Sequence, residues 1–215
     1  MTLQSDLNAI TANVKQQAPT EVFAAMEAAN VKLADSGLAN KAAARGQSIP
    51  EFELPDANGN LVRSKDLLRK GPVVISFYRG VWCPYCSVEL KALQDRLADI
   101  TQRGATLVAI SPQTPDSSLT TKEKLELAFP VLSDVGNVLA RKFGLVFALD
   151  PTLRPIYTAF GIDLQASNGD ASWELPVPAT YVVGSDGKIV DVFVDVDYRN
   201  RLEPDVILQW LDKAH

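Results

Sequence analysis

The sequence predicts an α/β protein with a central mixed sheet flanked by helices and a helical hairpin ahead of it. Three observations carry this. Residues 73–78 (VVISFY) and 105–110 (ATLVAI) are unbroken apolar runs, as strands buried on both faces require, and the segment between them has helical periodicity. Residues 180–183 and 189–194 read as strands joined by Ser185-Asp186-Gly187-Lys188, a tight hairpin turn. A strand–helix–strand crossover demands parallel pairing and a hairpin demands antiparallel pairing, so one mixed sheet is the economical arrangement. The 215 residues, 47% hydrophobic and 22% charged, suffice for one well-buried domain with some additional structure and exclude disorder along the whole chain.

Residues 1–45 read as a helical extension and residues 46–215 as the main domain. The extension has no Tyr or Trp and is rich in Ala, and Leu3, Leu7, Ile10 and Val14 form one apolar stripe on a helix. Pro19-Thr20-Glu21 stops that helix and starts another, with Thr20 as N-cap, Phe23, Met26 and Leu33 along its apolar line and Gly37 at its end. The stripe serves either the chain's own core or a homodimer interface, and amphipathic helices mostly serve the former.

In the main domain, residues 49–54 alternate and predict a short strand, followed by a turn with the Asn58-Gly59 hairpin signal. A helix over about 84–103 buries Val88, Leu90, Leu93, Leu97 and Ile100 and ends at Gly104. Helices over 116–128 and 135–143 flank a brief strand at 131–132. Residues 145–176, with Pro151, Pro155 and Pro176 and weak periodicity, are expected to form a long, partly ordered insertion. Glu203-Pro204 opens a last helix that buries Val206, Ile207, Trp210 and Leu211.

Composition excludes several function classes. Lys plus Arg is 21 against 26 for Asp plus Glu, and the net charge of -5 comes without a basic cluster, so nucleic acid is not an expected partner. No stretch approaches the roughly 20 apolar residues that cross a bilayer. The first residues lack the basic start and apolar run of a secretory signal, which points to the cytoplasm, where thiols stay largely reduced. Two cysteines do not make a disulfide scaffold.

Those cysteines lie together in Arg79-Gly80-Val81-Trp82-Cys83-Pro84-Tyr85-Cys86, between the buried strand and the long helix. Free N–H groups at a helix start favour a thiolate over a thiol, and the two-residue spacing lets a helical turn bring both sulfurs within bonding distance. Pro84 suits the first helical position, where its missing N–H is not needed. A structural disulfide across so short a loop adds little, and the expected compartment is reducing. A zinc site needs about four ligands, and the only histidine is His215. Inert packing is the common fate of isolated cysteines, but these form C-x-x-C at a strand-to-helix junction, so a redox pair is the expectation.

Trp82-Cys83-Pro84-Tyr85-Cys86 resembles the active site of thioredoxins and glutaredoxins. The chain also resembles peroxiredoxins of the alkyl hydroperoxide reductase/thiol-specific antioxidant group, through residues 49–56 (IPEFELPD), 71–78 (GPVVISFY), 178–183 (PATYVV) and 186–190 (DGKIV). The resemblance covers about residues 46–215 and implies a thioredoxin-like fold. It assigns the cysteines in two ways. In peroxiredoxins the attacking Cys follows a Pro by seven residues and a Thr by three, and Glu or Gln often comes three later. Counted from Cys86, those places hold Arg79, Cys83 and Glu89, so Cys86 attacks and only Glu89 matches. In thioredoxins the first Cys is the exposed nucleophile, which is Cys83.

Two further departures concern the surroundings. The arginine that peroxiredoxins carry before the late strand is missing, and Val177-Pro178-Ala179-Thr180 resembles instead the cis-proline loop of thioredoxins. Arg79 either supplies the missing cation or is a solvated strand-end residue. Trp82 is expected to cover the sulfurs or pack in the core, and Tyr85 to donate to a sulfur anion or line the loop. Trp173 and Glu174 are candidates only by nearness in sequence to Pro178. Ser76 lies nearest the place of the buried thioredoxin Asp.

The resemblance implies a thiol peroxidase that reduces hydrogen peroxide or alkyl hydroperoxides through Cys83 and Cys86, with a thioredoxin or glutathione system as reductant and no metal or organic cofactor. General thiol–disulfide exchange on disulfide substrates and a non-enzymatic redox-sensing module are the alternatives.

Overall fold

The computed structural model describes residues 2–214, so His215 lies outside them. The chain opens with α1 (Leu3–Gln17), α2 (Thr20–Asp35) and a tight helical turn at Leu38–Lys41. It continues with β1 (Glu53–Pro55), β2 (Leu61–Arg63), α3 (Ser64–Leu68), β3 (Val73–Phe77), α4 (Pro84–Asp95), α5 (Leu97–Gln102) and β4 (Thr106–Ser111). Next come α6 (Pro115–Lys124), β5 (Val131–Ser133), α7 (Val138–Lys142), β6 (Val146–Ala148), α8 (Arg154–Ala159) and α9 (Leu164–Asn168). The chain ends with β7 (Glu174–Pro176), β8 (Ala179–Val183), β9 (Ile189–Val194) and α10 (Pro204–Leu211).

The central sheet has five strands in the order β5-β4-β3-β8-β9. β3 pairs parallel with β4 and antiparallel with β8, so Ile75 faces Val108 on one side and Tyr181 on the other. Because helices cover both faces, both sets of alternating side chains on β3 are buried. Val74 and Tyr78 point into a core shared with α1, α4, α5 and α10, and Val73, Ile75 and Phe77 into a second core with Phe52, Leu67, Leu139 and Phe143. That burial explains the unbroken apolar run. β3, the middle strand, therefore ends in a dry environment, and residues 79–86 follow directly from it.

The N-terminal stripe serves the chain's own core. Leu3 and Leu7 are buried against the α4 side of the sheet, and Ile10 packs beside them. Glu203, which caps α10, accepts from the Leu3 and Gln4 N–H groups at 3.2 and 2.8 Å, placing a carboxylate at the positive end of α1.

Several boundaries differ from the sequence reading. Pro19 takes the cap position of α2 and Thr20 is its first helical residue, so Thr20 is no N-cap; Thr2 caps α1 instead. The expected strand at 49–54 is reduced to β1, because the residues before it hold the β8–β9 turn: Ile49 N–H donates to Gly187 O at 2.9 Å. The helix expected over 84–103 breaks at Arg96, where neither Gly nor Pro marks the break; Arg96 turns its side chain to Asp99 and to Asp205 of α10. The 145–176 segment is more ordered than expected. β6 and β7 pair antiparallel, and Leu149, Leu153, Tyr157, Leu164 and Leu175 form a third core. Its elements are three to six residues long, too short to register as a period.

Leu7→Ala is expected to cost roughly 2–5 kcal/mol of stability, as for other fully buried leucines. Val31→Ala, at an exposed position of α2, should change stability by less than about 0.5 kcal/mol. Guanidinium unfolding midpoints of the two variants check this.

Candidate active site

Three local features shape the turn between β3 and α4. Gly80 has φ of +154°, and a Cβ there would stand 2.3 Å from Trp82 Nε1, so the indole folds onto a space that only glycine leaves open. Val81 N–H donates to Oε1 of the fully buried Gln113 at 3.0 Å. Cys83 N–H donates to Gly80 O at 3.1 Å, and Cys83 then occupies the cap position of α4, with Pro84 as its first residue. Cys86 follows in the first turn. Both sulfurs thus stand at the positive end of a 12-residue helix.

Each sulfur has its own arginine. Arg79 Nη2 donates to Cys83 Sγ at 3.0 Å and Nη1 donates to the Tyr157 hydroxyl at 3.3 Å. Its guanidinium lies 3.9 Å from the Tyr198 ring centroid and 5.2 Å from that of Trp82. Arg201 Nη2 donates to Cys86 Sγ at 3.5 Å, its Nη1 pairs with the Glu89 carboxylate, and its remaining N–H groups reach Tyr198 O. Arg79, Arg201 and Glu89 are all buried. Among the described residues Arg79 forms no ion pair with a carboxylate, whereas Arg201 has Glu89.

This asymmetry splits the two thiols. Burial pushes the Cys83 thiol up, but a hydrogen bond from Cys86 and the charges of Arg79 and Arg201 more than reverse it, and Cys83 stands well below the ordinary thiol range. Cys86 goes the other way: burial, the hydrogen bond it gives to Cys83 and the Cys83 charge hold it well above. The pair therefore titrates unequally, with Cys83 the first to give up its proton and Cys86 the one that keeps it. Burial also holds the Glu89 carboxyl above its usual range, against the pull of Arg201.

Both cysteines are 0% exposed, against the expectation of an exposed first Cys. Cys83 nonetheless borders a cavity of about 360 Å³, together with Arg79, Trp82, Tyr157, Val14 and Pro19. A second cavity of about 330 Å³ also borders Arg79 and shares Met26, Tyr157 and Tyr198 with the first. Cys86 borders neither.

The other sequence candidates fall into place as follows. Arg79 is a buried sulfur ligand and not a solvated strand end. Trp82 is half-buried on the cavity wall, edge-on to Tyr157 at 5.6 Å. The Tyr85 hydroxyl lies 3.1 Å from Thr11 Oγ1 of α1, so it ties the hairpin to α4 and does not reach a sulfur. The Val177–Pro178 bond is trans like every other described peptide bond, so the cis-proline expectation fails; Pro178 lines the second cavity. Just after β7 ends at Pro176, Val177 N–H donates to Leu145 O at 2.8 Å. Trp173 stacks on Arg154 and Glu174 pairs with Arg141, both away from the sulfurs. Ser76 is buried with no hydrogen-bond partner. Sequence reasoning missed Arg201, Tyr157, Tyr198 and Gln113. Arg201 lies 115 residues after Cys86, in a loop whose charged composition looks like ordinary surface.

The AhpC/TSA family profile matches residues 45–192. The chain belongs to this family. Similar proteins include peroxiredoxin Bcp of Escherichia coli, 29% identical over 170 residues that make up 79% of this chain and 96% of that one. A Mycobacterium tuberculosis protein assigned as a peroxiredoxin is 32% identical over 145 residues, 67% of this chain and 81% of its own. Among solved structures, peroxidoxin BcpB from Mycobacterium tuberculosis matches with a TM-score of 0.63 and 25% identity, covering 80% of this chain and 98% of that one. AhpC of Enterococcus faecalis shares the fold with a TM-score of 0.60 at 19% identity. The fold is thus the thioredoxin-like arrangement of peroxiredoxins. Among the described residues no group of three or more His, Cys, Asp or Glu is placed to hold a metal ion.

Arg79→Met should raise the Cys83 pKa towards the ordinary thiol range. In the unaltered protein, iodoacetamide alkylation of Cys83 should show its pH inflection well below that of an ordinary thiol. In the variant the inflection should move to higher pH. Peptide mass spectrometry of the alkylated chain reads this out.

Proposed function

We infer that the protein is a thiol-dependent peroxidase whose working centre is the Cys83–Cys86 pair. The observation that carries this is the Arg79 guanidinium on Cys83 Sγ at 3.0 Å, beside a cavity that a hydroperoxide can occupy. The Cys83 thiolate attacks the outer oxygen of the hydroperoxide and the O–O bond breaks. The sulfur becomes a sulfenic acid and, with one proton taken up, the other oxygen leaves as water or an alcohol. Arg79 is placed to stabilise the departing oxygen anion. The Cys86 thiol then attacks the sulfenic sulfur, a water leaves, and a Cys83–Cys86 disulfide remains. A thioredoxin-type dithiol reduces that bond: its thiolate attacks Cys83, the sulfur on the cavity side, and Cys86 leaves as a thiolate facing Arg201. No helix among the described residues is long and apolar enough to cross a membrane, and the cycle suits a reducing compartment such as the cytoplasm.

The Cys-Pro-Tyr-Cys sequence also suits general thiol–disulfide exchange. Against that reading stands the full burial of Cys83 in the reduced chain, the state that would have to meet a protein disulfide.

Mixing the reduced protein with hydrogen peroxide or an alkyl hydroperoxide and following tryptophan fluorescence tests the assignment. Oxidation should be far faster than that of a free thiol in the same buffer; a rate equal to free thiol defeats it. Cys83→Ser should abolish peroxide consumption. Cys86→Ser should stop at the sulfenic acid, trapped as a dimedone adduct on Cys83 and seen by mass.

A further inference from the structure

α2 is a 16-residue helix, yet none of its residues is buried. Its apolar side, Ala25, Met26 and Ala29, rests half-buried on the core formed by Leu149, Tyr157 and Leu164. Both cavities beside Arg79 lie against it, and Met26 is on the wall of each. Charge supplies much of what holds it down. Lys32 Nζ pairs with Asp150 at 2.9 Å, Glu27 pairs with Arg199, and Asn30 donates to Asp197 at 3.4 Å. Lys32 is 68% exposed and Glu27 42%, and such pairs are weak and screened by salt. The hairpin also lies outside the segment that matches the family, residues 45–192.

The latch and the sulfurs share one loop. Arg199, which grips α2, stands between Tyr198, stacked on Arg79, and Arg201, which touches Cys86. Cys83 is fully buried and borders the cavity under the hairpin, whose walls include Val14, Pro19 and Met26. A hydroperoxide is small enough for that route; a folded dithiol protein is not.

Oxidation changes the balance. When the sulfurs join, Cys83 loses its negative charge, and Arg79 keeps its own with no carboxylate paired to it among the described residues. A buried charge without a counter-charge is costly, and hydration relieves it. Both cavities against α2 border Arg79 and give water a way to it.

We propose that α2 is a lid over the two cavities beside Arg79, latched by Glu27–Arg199 and Lys32–Asp150, which loosens when Cys83 and Cys86 are joined and so admits a protein-sized reductant. The proposal rests on the redox-pair reading of Cys83 and Cys86, but not on what oxidises them.

The test uses the full chain with its disulfide closed by diamide, which keeps it independent of peroxide reactivity. Amide hydrogen exchange over residues 20–35 should be faster in the oxidised than in the reduced protein; equal or slower exchange overturns the lid. In Glu27→Gln/Lys32→Gln, reduction by thioredoxin should speed up by roughly 2- to 30-fold, the range set by losing two exposed ion pairs. Reduction by dithiothreitol should be unchanged. A thioredoxin rate that does not move, or one that rises only in step with the dithiothreitol rate, overturns it. Failure of diamide to close the pair overturns both the lid and the redox pair. Closure by diamide but not by peroxide defeats the peroxidase assignment alone.

Discussion

A buried guanidinium whose counter-charge is a sulfur is the constraint on which the site depends. Arg79 is 4% exposed, and no described carboxylate forms an ion pair with it. Taking an arginine out of water is costly unless an anion meets it, and the group that meets it is Cys83 Sγ. Burial opposes the charge on Arg79, and the Cys83 anion, with Tyr157 and Cys86, holds its pKa well above the usual value. The two charges are therefore mutually required. The start of α4 and the thiol hydrogen bond from Cys86 add to the same end.

The second sulfur is kept different by its own surroundings. Arg201 is already balanced by Glu89, so it stabilises a Cys86 anion without demanding one. That suits a resolving thiol, which is needed as S–H when it meets the sulfenic acid and as a stable leaving thiolate when the disulfide is reduced. Peroxiredoxins of the usual pattern place a Pro and a Thr ahead of a single attacking Cys. Counted from Cys86, Arg79 stands at that Pro place and Cys83, the lower-titrating sulfur, at that Thr place. In the proposed cycle, joining the sulfurs removes the Cys83 anion and leaves Arg79 unbalanced, which favours the dithiol and makes the disulfide easy to reduce.

Much of the fold was legible because local pattern and tertiary burial agree. The runs at 73–78 and 105–110 became β3 and β4, and the 185–188 turn joins β8 to β9. The stripe of Leu3 and Leu7 is core. The failures share one cause, tertiary contact overriding local signal. Arg96 breaks a helix without a breaker residue, β6 to β7 fold around a core no single element reveals, and the strand before β1 is lost to contact with Gly187. In the site, the motif from Arg79 to Cys86 was readable because one turn of chain carries it. Tyr157, Tyr198 and Arg201 come from distant loops, and nothing in their neighbourhoods marks them as buried.

Titration of the reduced protein by thiolate absorbance tests the central claim most directly. The account predicts one thiolate persisting well below the ordinary thiol range, present in the unaltered protein and in Cys86→Ser and absent in Cys83→Ser. Two groups titrating like free cysteine, or a low-titrating thiolate that survives in Cys83→Ser, would contradict it.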